Sequence, residues 1–316
     1  MNAVVTPPSV KNWATNYVWL VKREFWEHRA LYIAPLVYAG IVLLLALASA
    51  FGWGDVRMEG MSWRDGMNPD SQPEIRGGGR LVVYAAFYAP FLIITTIVTL
   101  YYALDALYAD RRDRSVLFWK SLPVSDTETV LAKLGVAAFL GSATAVVISI
   151  VTLLLVLTIA TVALAVRGMP TMIMWTHIPL LPNIAFMVYM WIATALWYLP
   201  IWSWCLLASS WARRAPFLWA VVPAVVVGIL EYQVFGTKEF AQMLLTRVIG
   251  VFSEATALSG QLMSGAGDYE SLPRVGLMDV MTPGNFFASA QLWGGLVASA
   301  LMIAATVWMR RFREAS

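Results

Sequence analysis

Six long apolar stretches, at 31–51, 81–104, 134–166, 184–209, 217–235 and 287–309, constrain this chain more than any other feature. Each is long enough to cross about 30 Å of hydrocarbon as a helix rising about 1.5 Å per residue. Between Leu31 and Phe51 there is no acidic or basic residue. Nothing but a helix or a closed barrel satisfies its backbone in lipid. The pattern therefore predicts an all-α, polytopic membrane protein with six transmembrane helices in a single domain. The third stretch is longer than a span needs and is expected to tilt or protrude.

Composition supports the same class. Apolar residues make up 59% of the chain and charged residues 13%, against about 25% charged in soluble domains. A formal net charge of +3 gives no argument for nucleic acid. The basic residues instead mark one membrane face. Lys11, Lys22, Arg23, Arg29, Arg111, Arg112, Arg114, Lys120, Lys133, Arg213, Arg214, Arg310, Arg311 and Arg313 fall on the side of the termini. Fewer, among them Arg57, Arg167, Lys238 and Arg247, fall on the other. The positive-inside bias then puts both termini in the cytoplasm; a bacterial inner membrane is the expected location. The first 30 residues lack the pattern of a cleavable signal peptide. The lone Cys205 has no intrachain disulfide partner.

The segments between spans carry the organisation. Over 10–29, apolar side chains recur at Val10, Trp13, Ala14, Tyr17, Val18, Val21 and Phe25, with Trp19 and Trp26 near the border. This predicts an interfacial helix along the cytoplasmic leaflet, with Trp13, Tyr17, Val21 and Phe25 on its apolar face; the alternative is a cytosolic helix packed on a partner. Between spans two and three, Asp105 to Lys120 reads as a charged helix stopped by Pro123. Ser125 and Glu128 then form a capping box for the next helix. A loop that served only as a solvated connector has little use for Val116, Leu117, Phe118 and Trp119. Residues 236–286 form a long outside segment. Its part from Phe240 to Met263 is moderately amphipathic and expected to lie on or dip into the outer leaflet.

The spans contain no acid or base in their central parts, and Glu231 lies near the outer end of the fifth. Ion-coupled carriers usually rely on such groups or on broken helices, so a secondary carrier is not favoured. No H-E-x-x-H motif is present, and His28 and His177 read as ordinary interfacial histidines. No catalytic, cofactor or metal site is expected. Small and hydroxylated residues occupy the spans instead: Thr95, Thr96 and Thr99 in the second, Ser142 and Ser149 in the third, Gly295 and Ser299 in the sixth. They read first as packing residues, with lining of a pathway as the alternative. Pro200 and Pro223 are expected to bend spans four and five. No G-x-x-x-x-G-K-[ST] loop is present, so ATP energy would have to come through a partner.

The run Asp110–Arg111–Arg112–Asp113–Arg114–Ser115, then Leu117, Phe118, Lys120–Ser121–Leu122–Pro123–Val124–Ser125, then Glu128, Leu131 and Lys133 resembles the ABC-2 family of ABC transporter permeases. So does the layout of interfacial helix, six spans and large segment between spans five and six. Arg114–Ser115 stands where many relatives carry Gly-Thr or a similar small pair. The resemblance implies a half-transporter that pairs with a second permease copy or paralogue and with two cytosolic ABC ATPase subunits. Those subunits, not this chain, would bind ATP and Mg. Residues 105–122 would form a coupling helix seated on the ATPase. The alternating charges, Asp110, Arg111, Arg112, Asp113, Arg114 and Lys120, would fix its register, Leu117, Phe118 and Trp119 would transmit force, and Pro123, Ser125 and Glu128 complete the expected ATPase-coupling residues. The implied activity is ATP-driven export of an amphipathic substrate such as a lipid, peptide or antibiotic. A membrane-anchored structural or regulatory protein recruiting a cytosolic partner is the alternative, followed by a secondary carrier.

Overall fold

A computed structural model describes residues 13–51, 78–113, 125–172, 175, 180–257, 278 and 281–313. Among them six helices are long and apolar enough to cross a membrane, and no strand occurs beyond one isolated bridge, Thr256 to Met281. This is the architecture of a multi-pass helical membrane protein.

In chain order, α1 (Trp13–Glu27) leads almost directly into α2 (Ala30–Ala50), the first span. The second span is α3, Gly78–Arg112. It passes Leu104 without a break, so the first part of the expected 105–122 helix is an extension of span two. Residues 114–124, with Arg114, Leu117, Phe118, Trp119, Lys120 and Pro123, lie outside the described residues. The third span is α4 (Asp126–Gly135), a π-turn (Val136–Leu140) and α5 (Gly141–Val166). Its N-terminus carries the expected capping box. Glu128 N donates to Ser125 Oγ at 3.1 Å, and Ser125 N donates to Glu128 Oε2 at 2.8 Å.

The fourth span is interrupted beside Pro200, where a bend was expected. It is two helices, α6 (Leu180–Trp197) and α7 (Leu199–Trp211). Tyr198 N still donates to Thr194 O and Trp202 N to Tyr198 O, but Pro200 has no N–H to give, so the rod is jointed there rather than unwound. The fifth span, α8 (Pro216–Phe235), absorbs Pro223 without interruption. Then come α9 (Glu239–Ile249), the short α10 (Val251–Ala255) and α11 (Pro283–Ala288), and the sixth span α12 (Ala290–Arg313).

Helix α7 is the hub, flanked by α12, α3 and α8, while α2 packs on α5 and α3. Burial follows this order. In the most apolar window of α3 and of α6, 44% of residues are buried, against 6% in α8. Span five therefore lies at the margin, its Val, Ile and Leu side chains facing outward as lipid-facing residues do. Two apolar cores stack along the bundle. One gathers Leu31, Leu107, Val136, Trp202 and Leu206; the other gathers Tyr88, Leu157, Met190, Trp197, Val251, Ala255 and Phe286. Because Val251 and Ala255 belong to the second core, α10 is seated on the bundle.

Candidate functional site

The end of the bundle where α1, α3, α4 and α12 meet holds a buried ionic cluster. Glu24 is the acidic interruption on the α1 face that carries Tyr17, Val21 and Phe25, and it is 2% exposed. Lys133 Nζ lies 2.9 Å from Glu24 Oε1 and 3.4 Å from Asp110 Oδ1. Arg310 NH1 lies 3.3 Å from Asp110 Oδ2, and its Nε donates to Asp126 Oδ1 at 2.9 Å. Tyr102 Oη donates to Glu24 Oε2 at 3.1 Å, and His28 packs edge-on against the Tyr102 ring. Burial alone would push the Glu24 carboxyl up. The charge and hydrogen bond of Lys133, with Arg23 and His28, outweigh it and hold the group below the usual carboxylate range.

The chain order of these residues gives the cluster its meaning. Asp110 closes α3 and Asp126 opens α4, so the two roots of the 113–125 connection are tied to each other through Arg310 and to α1 through Lys133. Beside them, the Arg111 guanidinium donates to Ser209 O and to Ala212 O (2.9 Å), satisfying carbonyls at the end of α7. Ser209 Oγ in turn accepts from the amides of Leu107 and Tyr108. Arg112 faces outward and pairs with Asp113 and Asp105. Of the expected coupling residues, Asp110 and Arg111 thus pack inward, while Arg112, Asp113, Ser125 and Glu128 lie on the outer side.

On α1 the expected apolar face is turned toward the protein. Tyr17 Oη donates to Leu131 O at 3.2 Å, and Val21 and Phe25 pack on the first core. Val18, Trp19 and Trp26 point away, each 60% exposed, with Lys22 over both indoles at 5.4 and 5.5 Å. The helix therefore carries two apolar faces, one for the bundle and one turned away from it. Trp13 begins α1.

Midway along the bundle, Thr95, Thr96, Thr99 and Ser142 do converge. They line one cleft with Thr194, Tyr198 and Trp202, beside the π-turn and the joint in span four. A Cβ added to Gly141 would lie 2.6 Å from Thr99 Oγ1, so glycine lets α3 and α5 touch at this level. Ser149 is elsewhere, buried between α5 and α6, where it donates to Val146 O and faces Met187 Sδ.

At the far end, Arg247 of α9 reaches between α6 and α12. Its guanidinium stands 4.2 Å over the Trp197 ring and donates to Trp197 O and Gln291 O. Trp197 Nε1 donates back to Arg247 O at 3.0 Å, and Tyr198 Oη donates to Val248 O at 2.9 Å. Gly295 makes room, since a Cβ there would strike the guanidinium and meet Pro200 Cγ at 3.0 Å. Its missing Cβ thus serves both the arginine and the close approach of α12 to α7 at Pro200. Glu231 joins α8 to α9 by accepting from Thr237 Oγ1 (2.8 Å) and from the amides of Glu239 (2.9 Å) and Phe240 (3.0 Å).

The chain matches no protein-family model, no curated protein and no solved structure.

Proposed function

We propose that this chain is the membrane-spanning subunit of an ATP-driven exporter, in the manner of an ABC-2 permease. In this reading the Arg310 end faces the cytoplasm of a bacterial cell, and residues 105–122 receive a cytosolic ATPase. Two permease copies or paralogues pair with two ATPase subunits, which hold ATP and Mg. The substrate is amphipathic, and alternating access follows ATP-driven movement of the ATPase pair.

The observation that supports this best is the ionic cluster. A connector that only bridged two spans would gain little from buried charges at both of its roots. Buried ion pairs give little net stability for the desolvation they require, but they hold elements in one register. Here they make the roots of the connection, α1 and α12 one body, so a push on the connection moves α1, α3, α4 and α12 together. The run from Asp110 to Lys133, through its resemblance to ABC-2 permeases, supports the same reading.

Affinity purification in mild detergent, with mass spectrometry of co-purifying proteins, tests it. A stoichiometric protein bearing a G-x-x-x-x-G-K-[ST] loop is the predicted companion, lost on Phe118→Asp while membrane insertion is retained. Purification of the chain without any nucleotide-binding protein would remove the proposal.

A further inference from the structure

The face of α1 expected to meet lipid is the one packed on the bundle, which leaves its opposite face to be explained. Val18, Trp19, Lys22 and Trp26 recur there at helical spacing, and all are exposed. Leu20 and Glu24, which alternate with them in sequence, are buried. The charge balance of the outward face is positive. Arg23 and Glu27 lie at its border and pair at 3.1 Å, whereas Lys22 and, at the head of α2, Arg29 are exposed. Because the Lys22 ammonium stands over both indoles, cation and rings form one unit.

The placement of α1 fits a leaflet rather than a cytosolic layer. Tyr17 is seated on α4 at Leu131, and Glu24 and His28 meet Tyr102 of α3. The helix therefore crosses from one span to the next instead of running along either. Leu131 lies about 9 Å along the helix from the Ser125 cap, and Tyr102 about 12 Å before Asp110. Helix α1 is thus nearer the membrane than the roots of the connection. His28 and Arg29 alone separate it from α2, whose exposed Ile33, Leu36 and Val37 belong to a span and face lipid. Trp26 continues that apolar surface along the chain. Indoles favour the boundary between headgroups and acyl chains, and a basic side chain among them favours anionic lipid. We propose that the Val18, Trp19, Lys22 and Trp26 face of α1 rests in the leaflet and binds the headgroup of an anionic phospholipid, with Lys22 and Arg29 supplying the countercharge. This rests on the chain spanning a membrane and not on the transport reading above.

The test uses the full chain in nanodiscs of phosphatidylcholine with or without phosphatidylglycerol. A nitroxide at Val18→Cys, in a Cys205→Ala background, is expected to be relaxed by oxygen in preference to a water-soluble nickel chelate, as at lipid-facing Leu36→Cys. Asp113→Cys should show the reverse. Nickel access at position 18 places the face in water, and a frozen label that neither relaxer reaches places it against protein; either overturns the proposal. Native mass spectrometry then compares the lipids retained by wild type and by Lys22→Gln. Wild type is expected to keep phosphatidylglycerol over phosphatidylcholine, with the preference falling about five-fold in Lys22→Gln and returning in Lys22→Arg. No preference in wild type, or one that Lys22→Gln leaves unchanged, overturns the headgroup assignment. Whether an ATPase co-purifies has no bearing on either readout.

Discussion

At one end of the bundle Arg310 meets two carboxylates, and at the other Arg247 meets a tryptophan face and two backbone carbonyls. Counting along α12, the Gly295 notch and Arg310 are about 22 Å apart. The ionic joint satisfies charge with charge, so removing one member strands another in a dry place. The Arg247 joint has no carboxylate in ion-pair range among the described residues. Its partners are neutral, so it parts without orphaning an anion. The ionic end is thus built to stay in one register, and the arginine–tryptophan end to yield first.

The comparison breaks most sharply at Lys133. Lys133→Met leaves Glu24 and Asp110 buried without their cation and is expected to destabilise the protein by about 3–5 kcal/mol, read from thermal unfolding in detergent. Glu24→Leu added to Lys133→Met is expected to restore part of that loss; strict additivity would show that the two side chains do not act as a pair. At the other end Arg247→Met is expected to cost about 1–2 kcal/mol, from the lost ring contact and hydrogen bonds. Gly295→Val, which evicts the guanidinium, is expected to give a similar loss. Combined with Arg247→Met it should add little beyond overpacking against Pro200, and hydrogen exchange of α9 should rise in all three variants.

Acid provides the mildest probe. The Glu24 carboxyl is held below its ordinary range, so its contribution is present above the unfolded value of about 4.3 and is lost as pH falls through the lower folded value. Docking of α1, followed by hydrogen exchange, is therefore expected to be level from pH 7 to about 5 and to weaken below about pH 4. Glu24→Gln should flatten this acid limb. An unchanged limb would assign it to other carboxylates.

The spans were legible because a bilayer leaves few alternatives for long apolar runs, and five of the six coincide with single continuous rods or, in the third, a rod with a π-turn. The Ser125–Glu128 cap was legible because both partners lie within one helical turn. What escaped is long-range. Glu24 could have been noticed as an acid on an apolar helical face, but its match to Lys133, across more than a hundred residues, has no local signal. Arg310 read as a topology marker, and Arg111 as a topology marker and coupling residue, although one is buried between carboxylates and the other satisfies helix-end carbonyls. The threonines of α3 were visible as a cluster, because 95 and 99 are one turn apart. Thr194 and Tyr198 are likewise one turn apart, but no local signal places them across the cleft from the threonines of α3. Gly295 suggested helix packing, and only the docking of α9 reveals that it accommodates an arginine.

In the proposed function, work done by a separate ATPase enters this protein through the connection rooted at Asp110 and Asp126. The decisive experiment is co-reconstitution of the chain with its co-purifying nucleotide-binding protein, with ATP hydrolysis measured for wild type and Trp119→Asp. Hydrolysis stimulated by the wild-type chain, and a return to the rate of the ATPase alone with the variant, is the expected result. Equal hydrolysis with wild type, variant and no membrane chain would overturn the proposal.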